Sequence, residues 1–173
     1  EFRRVLFRSL LTVNGGKATI DHDAVLSTRE STIAIKDVAS STWKLNAKTC
    51  GVYRTLYPAD RLAKLGDEAG KKDSSFTLQD RMGLVQDSFV LASSGYSKTS
   101  GALTLISKLS GETENLVWDE ISSALGKLSA TWWDQPENVR EGISKFRRTV
   151  RPFSLAVNER GLTCDVSSPA LRT

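Results

Sequence analysis

The sequence predicts a multidomain fragment: part of an all-β sandwich, followed by an all-α superhelical array of helix pairs of the HEAT or armadillo kind. Three observations carry that expectation. The hydrophobic period changes from two to about three and a half at Tyr57–Pro58. The residues before that point read as short strands divided by turn signals. The residues after it read as a succession of capped helices, each with one apolar stripe.

The strands come first. The segment Asn14-Gly15-Gly16 supplies residues that accept positive φ, as a tight hairpin requires. Ile33 and Ile35 alternate with Ala34 and Lys36, and Trp43 and Leu45 alternate with Lys44 and Asn46, so each run is read as a strand with one core face. A last strand is read over residues 52–57, with Val52, Arg54 and Leu56 on one face and Tyr53 and Tyr57 on the other. Fewer residues remain here than the about 100 that a complete sandwich needs. Part of the sandwich is therefore expected to lie outside this chain.

Pro58 opens the first helix, because proline fixes its φ and lacks the N–H that a first turn leaves unused. Asp60 favours the positive end of the helix dipole, and Leu62 and Leu65 follow at helical spacing. The next start is Thr77-Leu-Gln-Asp80, a capping box, with Met82, Val85 and Phe89 inward and Gly95 as a left-handed stop. A shorter helix runs from Thr99 to Leu109 with Leu103, Ile106 and Leu109 inward, ending at Gly111. A fourth carries Val117, Ile121, Leu125, Leu128 and Trp132. The last opens at Asp134 with Pro136 and Glu137 in its first turn, places Val139, Ile143, Phe146 and Val150 on one face, and should kink at Pro152.

Residues 1–9, EFRRVLFRS, match one reading frame of a widely used sequencing-library adapter and are set apart as an artefact. They hold Arg3, Arg4 and Arg8 against Glu1, which is +2 of the formal +4 and leaves +2 for the rest. So small a charge gives no electrostatic footprint for nucleic acid. No run approaches the about 20 apolar residues that span a bilayer, so no membrane partner is expected.

The chain offers little catalytic chemistry. It has one histidine, His22, read as a solvated turn residue between Asp21 and Asp23. Cys50 and Cys164 form no CxxC pair and are read as buried reduced thiols. No His-Glu-x-x-His, Gly-x-Ser-x-Gly or phosphate loop is present. The carboxylate pairs Asp119–Glu120 and Glu112–Glu114 are read as solvated charge. No residue is assigned a catalytic, cofactor-binding or metal-binding role. Lys145, Arg147, Arg148 and Arg151 place four cations within seven residues, enough to hold a phosphate or a peptide carboxylate. Favourable contact with the helix C-terminal dipole is the plainer explanation. Trp118, Trp132 and Trp133 are read as packing rather than as a stacking platform.

With these elements in place, the chain resembles the C-terminal half of the puromycin-sensitive type of zinc aminopeptidase, a gluzincin family, and within it the fungal cytosolic members. The resemblance rests on Lys44-Leu-Asn-Ala47, Gly51-Val-Tyr-Arg54 with Tyr57, and Pro58-Ala-Asp-Arg-Leu62. It continues in Asp80-Arg-Met-Gly-Leu-Val-Gln-Asp87, Gly95-Tyr96 and Val117-Trp118-Asp119. It implies that residues 10–57 end a β-sandwich domain and that residues 58–173 begin a helical bowl closing over an active site. It also implies that the parent enzyme removes N-terminal residues from peptides by zinc-dependent hydrolysis. The zinc motif, the downstream glutamate and the Gly-x-Met-Glu-Asn segment of that family are not in this chain. The fragment would then be non-catalytic and bind no zinc itself. It would contact the missing catalytic domain within the same molecule and help enclose the chamber, with Arg147, Arg148 and Arg151 as peptide contacts. A cytoplasmic location is favoured. Cys50, where the family has a small or polar residue, and the residues after Gly161 depart from the pattern. The alternative is a stand-alone helical-repeat module that binds peptide or protein.

Overall fold

A computed structural model describes residues 6–7, 9–22, 25–26, 32 and 41–150. The readings placed on Ile33, Ile35, Arg151, Pro152, Cys164 and the residues after Gly161 lie outside the described residues.

Among the described residues, five short strands precede five α-helices. Strands β1 (Leu6–Phe7) and β4 (Val25–Leu26) pair antiparallel as a two-residue ladder. Strands β2 (Leu10–Asn14), β3 (Lys17–Asp21) and β5 (Thr42–Leu45) form an antiparallel sheet in the order β3-β2-β5. The β2–β3 hairpin turns at Gly15 and Gly16, whose φ values of 55° and 82° only glycine takes cheaply, and Asn14 faces Lys17 across it. Leu11 and Val13 of β2 point into the core.

Strand β5 departs from its sequence pattern. Trp43 and Leu45 were expected inward and Lys44 and Asn46 outward, yet Lys44 and Asn46 are buried while Trp43 and Leu45 are half-buried. A buried cation is tolerable only with partners, and Lys44 has three. Its Nζ lies 2.9 Å from Asp80 Oδ1 and donates to the carbonyls of Asn46 and Leu45 at 2.7 and 3.2 Å. Trp43 instead lies under the Arg61 guanidinium, 4.5 Å from the ring centroid, and meets Tyr57 in a tilted ring contact.

The strand expected over residues 52–57 does not form. Burial there does alternate, with Tyr53, Thr55 and Tyr57 turned inward and Val52, Arg54 and Leu56 outward, Val52 being 101% exposed. The pattern is that of extended chain, but side chains rather than a ladder satisfy its backbone. Thr55 N–H donates to Asp87 Oδ2 at 2.9 Å, and the Asn46 amide donates to the carbonyls of Gly51 and Tyr53. The Tyr57 hydroxyl accepts from Leu45 N–H at 2.9 Å and faces its carbonyl at 3.4 Å, occupying the free edge of β5. Cys50, expected buried, is exposed, because Asn46 and Ala47 take the inward places in the 3-10 turn Ala47–Thr49 that precedes it.

The helices follow the expected order. They are α1 (Ala59–Ala69), α2 (Leu78–Ser93), α3 (Thr99–Lys108), α4 (Asn115–Thr131) and α5 (Glu137–Val150). Pro58 precedes α1 as its cap, and Leu62 and Leu65 are buried. Thr77 caps α2 reciprocally with Asp80: Asp80 N–H donates to Thr77 Oγ1, and Thr77 N–H donates to Asp80 Oδ2. Gly95, at φ 79°, ends the turn after α2, where Tyr96 N–H donates to the Leu91 carbonyl at 2.9 Å. Helix α3 buries more than its expected stripe: Ala102 and Leu105 join Ile106 and Leu109 in the core, while Leu103 is partly buried against it. The cause is that α3 packs on both α1 and α2, so it buries a wider arc than a surface helix. Val117, Ile121, Leu125 and Leu128 of α4 are buried, as are Ile143 and Val150 of α5. The core is continuous from Leu11 and Val13 through Tyr57 to Val150.

Candidate functional site

Of the residues singled out as possible ligand contacts, Lys145, Arg147 and Arg148 lie on α5, which packs on α4. The α4 stripe puts Trp118, Ile121 and Leu125 along one wall of an open groove of about 440 Å³, and α5 contributes Ser144, Arg147 and Arg148 to the other. Trp118 is fixed in place because its indole N–H donates to the Glu112 carbonyl at 2.9 Å. Both arginines are exposed. Lys145 lies away from this groove and borders, with Arg148, a second depression that also contains Glu137 and Glu141. The structure therefore brings Arg147 and Arg148 together on one groove and separates Lys145 from it. Trp133, on neither wall, is exposed, contrary to the packing expected of it.

Glu112 was read as solvated and is not. Its side chain is 5% exposed, its Oε2 lies 2.7 Å from Arg81 Nε, and its Oε1 accepts from the N–H groups of Thr113 and Glu114. Arg81 also donates to the Phe76 carbonyl at 2.8 Å, so this pair ties the start of α4 to the start of α2. Glu120, the other carboxylate near this wall, accepts from the Gln86 amide at 2.9 Å. The signal missed in the sequence was a lone arginine, Arg81, between the apolar steps of α2.

A groove lined by apolar side chains of α4 and by two guanidiniums of α5 suits a ligand that ends in a carboxylate beside an apolar side chain. Among the described residues no three His, Cys, Asp or Glu side chains converge in a way that could hold a metal ion, and His22 is exposed. The described residues thus do not fit a zinc centre.

The family model for the ERAP1-like C-terminal domain matches residues 43–158. The chain belongs to that family. The match begins in β5 and takes in every helix, so the α4–α5 groove is part of an ERAP1-like C-terminal domain. Relatives include "Aminopeptidase 2, mitochondrial" of Saccharomyces cerevisiae, 34% identical over 143 residues, which are 83% of this chain and 14% of that protein. "Aminopeptidase 2" of Candida albicans is 36% identical over 143 residues, 83% of this chain and 15% of its own length. The rat glutamyl aminopeptidase is 26% identical over 111 residues, 64% of this chain and 12% of its own. The chain thus spans about one seventh of the length of the yeast relatives it matches. Among the described residues, no helix of this ERAP1-like C-terminal domain is long and apolar enough to cross a membrane.

Proposed function

We propose that this ERAP1-like C-terminal domain is the non-catalytic, chamber-enclosing part of a zinc-dependent aminopeptidase that removes N-terminal residues from peptides. Its helices would begin a superhelical bowl against the catalytic domain of the same molecule. Zinc, and the activation of water that zinc supplies, belong in this reading to other segments of the parent enzyme. The observation that carries the reading is the α4–α5 groove, which presents Arg147 and Arg148 beside apolar side chains of α4 within the matched residues. A peptide whose C-terminal carboxylate meets those guanidiniums would be held by its far end, leaving its N-terminus for the reacting centre. A cytoplasmic setting is part of the proposal, supported by a free, exposed Cys50 that an oxidising compartment would tend to pair.

Two assays test it. The 173-residue chain with zinc and an aminoacyl fluorogenic substrate should show no turnover, and real turnover would remove the non-catalytic assignment. In the parent enzyme, Arg147→Ala with Arg148→Ala should raise KM for peptides with a free C-terminus and leave a single-residue fluorogenic substrate unaffected. Equal effects on both substrates would sink the groove's role.

A further inference from the structure

The stripe of α2 that carries Asp80, Gly83 and Asp87 is occupied by the segment between β5 and α1 rather than by another helix. These positions are spaced by three and four residues and therefore share one face of the helix. Each takes a different part of the segment. Asp80, with no exposed surface, receives the Lys44 ammonium at 2.9 Å, Lys48 N–H at 2.7 Å, and Thr77 N–H and hydroxyl at 3.1 and 2.7 Å. Gly83 lies so close to Thr49 that an added Cβ would sit 2.3 Å from its Oγ1, while that hydroxyl donates to the Gln79 carbonyl at 2.8 Å. Asp87 receives Arg54 at 2.9 Å through one oxygen and Thr55 N–H at 2.9 Å through the other.

The segment is held in a conformation it would not choose alone. Asn46, Lys48 and Thr49 have φ of 57°, 57° and 54°. Non-glycine residues persist in that region only where their surroundings over-determine them. A buried ion pair contributes little net stability, but it has few arrangements in which every donor is satisfied. Here all three Lys44 protons have acceptors within 3.2 Å only while β5, the 3-10 turn and α2 keep their present relation.

We propose that Asp80, Gly83 and Asp87 weld residues 42–57 to α2, so that the sheet and the first helices form one rigid lever. Resting on the aminopeptidase reading above, the corollary is that any opening of the substrate chamber pivots elsewhere than at Tyr57–Pro58. The change of period there marks a change of local structure and not a hinge.

Amide hydrogen exchange on the 173-residue chain tests the weld without reference to enzyme activity. In the unaltered chain, the amides of Leu11 and Val13 in the sheet should be as protected as those of Val85 and Ile121 in the helices. Lys44→Met, which keeps the stem and removes the charge, should speed exchange in the sheet about tenfold or more beyond any change at Val85 and Ile121. Gly83→Ala leaves every charge in place and should produce the same selective loss, with Thr49→Ala in the same chain restoring much of it. That variant carries the test if Lys44→Met does not fold. Sheet amides already fast in the unaltered chain, equal acceleration everywhere, or no acceleration would each overturn the weld. Failure of the aminopeptidase reading would appear only in the peptide assays and leave the exchange result standing.

Discussion

The two charged regions of this domain are built on opposite plans. Along α2, Asp80 and Lys44 are withdrawn from water, and every polar atom of the pair has a partner. Along α5, Arg147 and Arg148 are exposed and line a groove of mixed polar and apolar character. Buried charge with saturated partners has one good arrangement and so fixes geometry, whereas exposed charge keeps its donors for whatever arrives. The contrast separates buried, saturated charge from exposed charge by environment alone, although in the sequence both are simply ionic residues on amphipathic helices.

Breaking the buried side should have the largest effect. Asp80→Ala removes the α2 cap and leaves Lys44 as an unpaired buried cation, so unfolding free energy should fall by about 3–5 kcal/mol in urea titrations. A loss near the about 1 kcal/mol of a simple cap would show that Lys44 finds water on its own. Gly83→Ala sharpens the same side through its sign. Helix propensity alone favours alanine by about 1 kcal/mol. The contact with Thr49 should reverse that and destabilise the chain by about 1–3 kcal/mol, as overpacking does. A stabilised Gly83→Ala variant would mean that the loop moves aside at no cost.

Tyr57 joins the two halves of the junction and makes a smaller, pH-dependent contribution. Burial pushes its hydroxyl well above the ordinary tyrosine value, with the hydrogen bond to Leu45 opposing that shift. A group whose pKa is higher in the folded than in the unfolded chain contributes stability in full below the unfolded value of about 10. That stability is lost as pH rises above 10, because the unfolded chain releases the proton first. Tyr57→Phe should cost about 1 kcal/mol at pH 7 and flatten the alkaline limb of the stability curve. An unchanged limb would assign the alkaline loss to other groups.

Which features were legible in the sequence follows from the range of the forces that set them. The Gly15-Gly16 hairpin, the Thr77–Asp80 capping box and the α4 stripe depend on residues within a few positions of one another, and each is where the pattern puts it. The inward turn of Lys44 depends on Asp80, on a helix distant in sequence, so a period of two places it in solvent. Residues 52–57 kept their alternation but not their ladder, because Asp87 rather than a neighbouring strand receives the Thr55 N–H. Glu112 likewise looked like surface charge until Arg81 came to meet it. At the groove, the cluster of cations and its spread around the helix were visible, but which of them face α4 was not. That depends on how α5 is rotated against α4.

The exposed side should respond least in stability and most selectively in binding. Arg147 and Arg148 are exposed, so Arg147→Ala and Arg148→Ala should each change unfolding free energy by less than about 0.5 kcal/mol. If the groove takes a peptide carboxylate, the double variant should weaken binding of a peptide with a free C-terminus by about tenfold or more, because charge-assisted hydrogen bonds are lost. The same peptide with an amidated C-terminus should bind the unaltered and the double-variant chains alike, since it never engaged the guanidiniums. Titrating both peptides against both chains in low and moderate salt separates this from general attraction. A carboxylate seated between Arg147 and Arg148 in the groove loses less affinity with salt than one drawn loosely to a basic surface. Equal weakening of the two peptides would make the arginines ordinary surface charge, and the contrast between α2 and α5 would then be one of burial only.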